Sequence, residues 1–306
     1  SMFHMTNDSH LFRTAAQLEA DGFYPVQGNL WKKGDELYLP LYQGRMIWHF
    51  DHRANSVLVN PESTHNPYLS EPVTEKQHAD PSFLPQTQYW VPSEEVELAY
   101  GGPECWPIAC RLIARTTDVR TVISATVPKY GFGNSLPLLL PDRGLGAKES
   151  CLLAADLSSH ALDYVARQKL QGSNLNWFII EQLPVIAHAG YDRAFGHTTA
   201  RDLVRHHVLR LTYTAHDMAP FARDLGYHGP PFIWNQEKRR HLRARLDALY
   251  FHLYGLSRAD AAYILDTFPI VRRHDEAAFG TYRTKHMVLA YYNALAAGDT
   301  DIDVAV

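Results

Sequence analysis

The chain has 306 residues, 46% of them hydrophobic and 20% charged, which supplies enough apolar material for a core and excludes a disordered tail. A formal charge of −4 excludes a uniformly basic nucleic-acid coat but not local basic patches. No apolar run approaches the roughly 20 residues of a membrane-spanning helix, and the N-terminus lacks the apolar stretch of a signal peptide, so a cytoplasmic protein with no membrane partner is expected.

At about 100–200 residues per domain, the length predicts two domains, or one large domain with an appendage. Cys105, Cys110 and Cys151 are too few for a disulfide framework or a four-thiolate zinc site and read as buried reduced thiols. Ser1 ahead of Met2 reads as a remnant of tag cleavage, and the chain as a piece of a longer protein.

In chain order, residues 7–21 predict a short helix capped by Asp8 or Ser9, with Leu11, Ala15 and Leu18 at helical spacing and an end at Gly22. ELYLPLY and RMIWHF, between Phe23 and Phe50, predict strands separated by glycine turns. Residues 51–86, punctuated by five prolines, predict a long surface loop. Residues 110–128 predict a hairpin with Ile113 and Val122/Ile123 on its arms and Thr117-Asp118 near its turn. A helix is expected over 149–169, with Leu153, Leu157, Ala161 and Tyr164/Val165 on one face, then a strand-like WFIIEQLPVI.

Beyond Tyr191 the pattern is helical, over 199–210, 235–253 and 281–296. In the second of these, Leu242, Leu246, Leu249 and Leu253 form an apolar stripe, while Lys238, Arg239, Arg243 and Arg245 can face water. Ser257 and Asp260 predict a capping box opening a helix that Pro269 ends. The expected fold is α+β: a strand-rich body over 1–190 with a central helix, then a mainly helical part over 191–306.

Signatures of catalysis are incomplete. Gly131-Phe132-Gly133 and Gly144-Leu145-Gly146 lack the rest of a phosphate-binding loop and read as turn glycines. Gly133-Asn134-Ser135-Leu136-Pro137 has proline where a nucleophile elbow needs its last glycine. The pairs His49/His52 and His206/His207 diverge on a strand or helix, so structural or surface histidines are expected and no metal site. The Asn/Asp/Ser-Pro-Pro-aromatic turn of amino-group methylation is missing too. Asn66-Pro67-Tyr68 lacks one proline, and Gly229-Pro230-Pro231-Phe232 has glycine where a side-chain acceptor must stand.

Several long stretches nevertheless resemble one family. PLYQGRMIWHFDHR (40–53), RLIARTTDVRTVISATVP (111–128), LDYVARQKLQGSNLNWFIIEQLPV (162–185), LTYTAHDMAPFARDLGYHGPPF (211–232) and LDALYFHLYGLSRADAAYILDTFPIVRRHDEAAFGTYRTK (246–285) resemble the C-terminal target recognition, or specificity, region of bacterial adenine-N6 DNA methyltransferases of restriction-modification and phage-defence systems. The resemblance implies a noncatalytic domain that grips double-stranded DNA and reads base edges. A separate N-terminal methyltransferase domain would bind S-adenosylmethionine, and the parent could also carry a nuclease. The alternative is an interaction or scaffold module of a defence complex with little sequence readout.

Candidate DNA contacts are Arg115, Arg120 and Lys129 around the expected hairpin, Arg167, Gln168 and Lys169 at the end of the central helix, and Asn174 and Asn176 in Gly-Ser-Asn-Leu-Asn. Arg can take guanine O6/N7, Asn or Gln adenine N6/N7, and Lys phosphate. The alternative reading, that Asn174 and Asn176 satisfy backbone groups within their own turn, is the stronger of the two on sequence alone. The basic helix over 235–245 reads as a solvated face or a contact to the catalytic half.

Overall fold

A computed structural model describes residues 2–59, 68–100, 106–140 and 146–304. Cys105, Asn66-Pro67 and Gly144-Leu145 therefore lie outside the described residues. The fold is α+β, and the chain divides into two units, each built from separated segments. Unit 1 comprises 1–112, 124–150 and 212–234, and unit 2 comprises 113–123, 151–211 and 235–306. The boundary expected near residue 190 falls inside unit 2.

In unit 1 the first predicted helix is split. A 3-10 turn at Ser9–Leu11 is followed by α1 (Ala15–Ala20), opened by a capping box between Thr14 and Gln17. The break lies at Arg13, whose backbone exchanges hydrogen bonds with Trp90 at 3.0 and 2.8 Å. Strands β1 (Tyr24–Val26), β2 (Leu30–Lys33) and β3 (Glu36–Tyr42) form an antiparallel meander. The expected strand RMIWHF is instead a 3-10 turn at Gly44–Met46 followed by buried irregular backbone, with Phe50 at φ 57°.

The reason is polar. The buried side chains of Asp51, His52 and Arg53 reach segments far away in sequence. Asp51 accepts from His78 Nε2 at 3.1 Å, and His52 Nε2 lies 3.0 Å from both carboxylate oxygens of Asp217. The fully buried Arg53 guanidinium donates to the carbonyl oxygens of His78, Asp80, Phe83 and Thr214. Burial pulls its pKa below the ordinary range, with Asp51 and Asp217 opposing the shift.

The expected loop over 51–86 carries structure. β4 (Asn55–Val59) pairs antiparallel with β5 (Tyr68–Pro72), and α2 (Glu75–Ala79) follows a capping box at Thr74 and Gln77. β6 (Trp90–Pro92) joins the first sheet beside β3 and leads into α3 (Ser93–Tyr100). The predicted hairpin is partly present: β7 (Ile108–Cys110) and β8 (Ser124–Thr126) pair antiparallel, but residues 111–123 between them belong to no strand. Ile113 is exposed and bridges Asn174, while Val122 and Ile123 are buried.

Gly131, expected in a turn, begins β9 (Gly131–Phe132), which runs parallel to β3. A Cβ there would stand 2.6 Å from Val91 Cγ2, so only glycine permits the approach. Ser135, in the near-elbow, accepts the Gly44 N–H at 3.2 Å. β10 (Leu138–Leu139) completes a second sheet in the order β10-β7-β8. The unit 1 core gathers Leu41, Tyr42, Met46, Ile47, Val91 and Phe132.

The central helix predicted over 149–169 is two helices, α4 (Ala147–Ser158) and α5 (His160–Lys169). Ser159 interrupts them, because its hydroxyl caps α5 by accepting the Leu162 N–H at 3.1 Å. WFIIEQLPVI, expected as a strand, begins with a helical turn, α6 (Trp177–Ile180). A two-stranded ladder of β11 (Ala194–Phe195) and β12 (Thr198–Thr199) precedes α7 (Ala200–Thr212). α8 (Ala219–Asp224) belongs to unit 1.

The rest of unit 2 is α9 (Gln236–Leu253), α10 (Arg258–Asp266), α11 (Pro269–Phe279) and α12 (Arg283–Ala296). The capping box at Ser257 and Asp260 opens α10 as the sequence predicts, and Pro269 also starts α11, a helix not anticipated. Arg239, expected to face water, is buried and donates to the Leu211 carbonyl oxygen at 2.6 Å. Ala248, Phe251, Leu265, Phe268 and Val288 are at the core of these helices. Cys110 and Cys151 are buried and form no disulfide among the described residues. Among the described residues no helix is long and apolar enough to cross a membrane.

Candidate nucleic-acid interface

The segment after α5 is held at two points. Leu170 and Leu175 are buried at 5% and 1% exposure, whereas Gln171, Gly172, Ser173 and Asn174 between them are exposed. The turn must therefore present its polar residues outward. Ala114 donates its N–H to the Ser173 carbonyl oxygen at 3.0 Å, and Ile113 bridges Asn174, so the 113–123 segment borders the same turn. Asn176 then leads into α6. Ile179 and Ile180 turn inward there, and Phe178 is left 60% exposed.

The outcome is a pocket of about 460 Å³ lined by Gln168, Lys169, Asn174, Asn176, Phe178 and Gln182, among others. Four candidate residues drawn from two separate groups thus meet in one place. Neither asparagine satisfies its own turn: Asn176, although it stands at the helix N-cap, makes no side-chain cap bond. The side-chain amides of Gln168, Gln171, Asn174 and Asn176 have no hydrogen-bond partner among the described residues. Each exposes a donor and an acceptor to whatever enters. Lys169 Nζ reaches Gln182 Oε1 at 3.5 Å, the long limit of a hydrogen bond.

Two of the candidate arginines are structural. Arg120 is buried and ion-paired through Nε to Asp163, with a second bond at 2.7 Å to the Ser158 carbonyl oxygen. Asp163, itself fully buried, also accepts the N–H groups of Thr121 and Val122 at 3.0 and 3.1 Å. A charge so enclosed cannot reach a groove.

Arg167 donates to the carbonyl oxygens of Asp118, Val119 and Thr267 at 2.7, 2.9 and 3.2 Å, and its guanidinium lies 4.1 Å from the Phe268 ring centre. Burial lowers its pKa below the ordinary range, with Asp163 opposing. It therefore supports the 115–119 loop from within. Arg115, exposed on that loop, keeps its side chain outside. Lys129 lies in unit 1, 5.9 Å from the Tyr100 ring centre, and is not part of this group.

Sequence reasoning missed Gln171, Ser173, Phe178 and Gln182, all of which line the pocket. Their signal was present in an aromatic pair, Trp177-Phe178, set among amides, but a strand reading of WFII obscured it. A second cavity of about 950 Å³ lies among α7, the first turns of α9 and residues 300–304. Its charges are mixed and partly engaged already, with Arg245 on Asp303 and Glu237 on Arg283. Among the described residues no group of three His, Cys, Asp or Glu side chains is placed to hold a metal ion.

No protein-family model, curated protein or solved structure matches the chain.

Proposed function

We propose that this chain is the noncatalytic target recognition domain of an adenine-specific DNA methyltransferase of a restriction-modification or phage-defence system. It reads base edges of double-stranded DNA for a separate catalytic domain that binds S-adenosylmethionine. The supporting observation is the meeting of Gln168, Lys169, Asn174 and Asn176 around one pocket, with amides that have no hydrogen-bond partner among the described residues. An amide pairs bidentately with adenine N6/N7, Lys169 supplies a phosphate contact, and Arg115 is free in position to take guanine or phosphate. The sequence blocks that resemble methyltransferase specificity regions point the same way.

The test is selection of bound sequences from a random duplex pool by the full chain at about 50 mM salt, where phosphate contacts are strongest. An enriched motif, flattened by the double variant Asn174→Ala/Asn176→Ala, is expected. A bound pool that stays random and is indifferent to the double variant would overturn the reading in favour of a scaffold module.

A further inference from the structure

We propose that the cavity bordered by α7, the first turns of α9 and residues 300–304 binds a small sugar phosphate, with its cations on the phosphate and its carboxylates on the sugar hydroxyls. All of its lining residues belong to unit 2, and none falls in the stretch 168–182, so the inference does not rest on DNA reading. Its volume of about 950 Å³ lies toward the upper end of the roughly 300–1,000 Å³ of small-molecule sites.

The first observation is a pair of buried polar groups in the wall with nothing to bond. His207 is 6% exposed and Thr300 7%, and neither His207 Nδ1 nor Thr300 Oγ1 has a hydrogen-bond partner among the described residues. A buried polar atom left alone costs the fold stability, and a ligand that bonds to it recovers that cost. Burial holds the His207 imidazole down at about 3, so the ring is neutral at pH 7 and one of its nitrogens can donate.

The second observation is how the charges in the wall are committed. Glu237 is held by Arg283 and, at 3.3 Å, by Arg240, while Asp202 accepts the Thr199 hydroxyl at 2.7 Å. The Lys238 ammonium, in contrast, has no partner among the described residues and keeps its charge for an incoming anion. Arg245 Nη2 already holds an oxyanion, the Asp303 carboxylate at 2.8 Å. That aspartate side chain is 87% exposed and can give way to a phosphate. Arg210 adds a third cation to the same wall. The Asp301 carboxylate accepts no hydrogen bond among the described residues and stands 3.9 Å from His197 Nε2. A bare anion would be repelled by these carboxylates. A sugar phosphate uses both signs, because its hydroxyls donate to carboxylates while its phosphate meets the cations.

The experiment is calorimetric titration of the full chain with ribose 5-phosphate, ribose and inorganic phosphate, each repeated in an excess of a short paired duplex. Saturable binding of ribose 5-phosphate is expected, roughly 10-fold tighter than inorganic phosphate, the gain from one hydroxyl–carboxylate hydrogen bond. The duplex should leave it unchanged. Lys238→Met, on the surface, should weaken binding about 5-fold, the upper range for an exposed ion pair. His207→Leu should weaken it about 10-fold while the thermal midpoint holds or rises, since an unpaired polar group gives way to an apolar one. A histidine with only a structural role would lower the midpoint.

No saturable binding at millimolar ribose 5-phosphate, or affinity no greater than that for inorganic phosphate, would overturn the inference. So would displacement of the sugar phosphate by the duplex, which would make the nucleic-acid backbone the occupant. Binding indifferent to Lys238→Met would overturn it too, even if His207→Leu failed to fold.

Discussion

The Ala114 backbone N–H donates to the Ser173 carbonyl oxygen at 3.0 Å. That bond, with the bridge between Ile113 and Asn174, joins two segments separated by α4 and α5. Arg167 braces the first segment from below, through the carbonyl oxygens of Asp118 and Val119. Exposed polar residues on both segments are therefore displayed by a backbone that is fixed.

Asn174→Ala and Asn176→Ala should leave unfolding free energy within about 0.5 kcal/mol of the parent, since neither side chain has a hydrogen-bond partner to lose among the described residues. Affinity for the selected duplex should fall by about 1–3 kcal/mol for each bidentate contact removed. Urea melts and anisotropy titrations of the same preparations check the two halves of the prediction.

Arg120→Ala and Asp163→Ala should each cost about 3–5 kcal/mol, because either change leaves a charge buried without its partner. Asp163→Ala also strips the acceptor from the Thr121 and Val122 N–H groups. Chemical denaturation reads the loss. A native-like melt with reduced DNA binding alone would contradict the structural role.

Stability should rise with pH between about 3 and 6.5. Burial holds the His207 imidazole down at about 3 and pulls His160, His206 and His252 the same way, whereas the unfolded groups titrate near 6.5. The folded chain binds fewer protons over that interval, so raising the pH favours it. Asp156 opposes this. Burial pushes its carboxyl from 3.8 up to about 6, and its contribution is lost as pH rises through that window. Four histidines outweigh one carboxylate. Asp156→Asn should steepen the rise in urea midpoint between about pH 4 and 6, the interval in which the carboxyl titrates.

Ser159→Ala should cost about 0.5–2 kcal/mol by removing the α5 cap, with Ser159→Gly milder. Thermal melting of the pair of variants against the parent gives the comparison.

Legibility in the sequence followed the range of the forces involved. The capping box at Ser257 and Asp260 needs only residues three apart, and it was readable. RMIWHF has a strand's composition, yet Asp51, His52 and Arg53 are claimed by partners at 78–83 and 214–217 that no local pattern reveals. WFII is rich in β-formers, but Ile179 and Ile180 are adjacent and both buried, which one helical turn allows and a half-buried strand does not. Arg120 and Arg115 look alike in sequence. Their difference is Asp163, a residue of another element. Gln168, Lys169, Asn174 and Asn176 were readable as candidates because the chain itself carries them to one place within a few residues.

The interleaved segments of the two units bear on how a gene for this chain can recombine. A single crossover anywhere between residues 113 and 234 puts foreign sequence into both units at once, since each has pieces on either side of the join. A join between residues 120 and 163 would also draw the buried pairs His52 with Asp217 and Arg120 with Asp163 from different parents. The pocket is encoded otherwise: its lining falls in the single stretch 168–182. That stretch can be exchanged as a short cassette that retains the anchoring Leu170 and Leu175, so new specificities can arise through small gene conversions there without rebuilding either core.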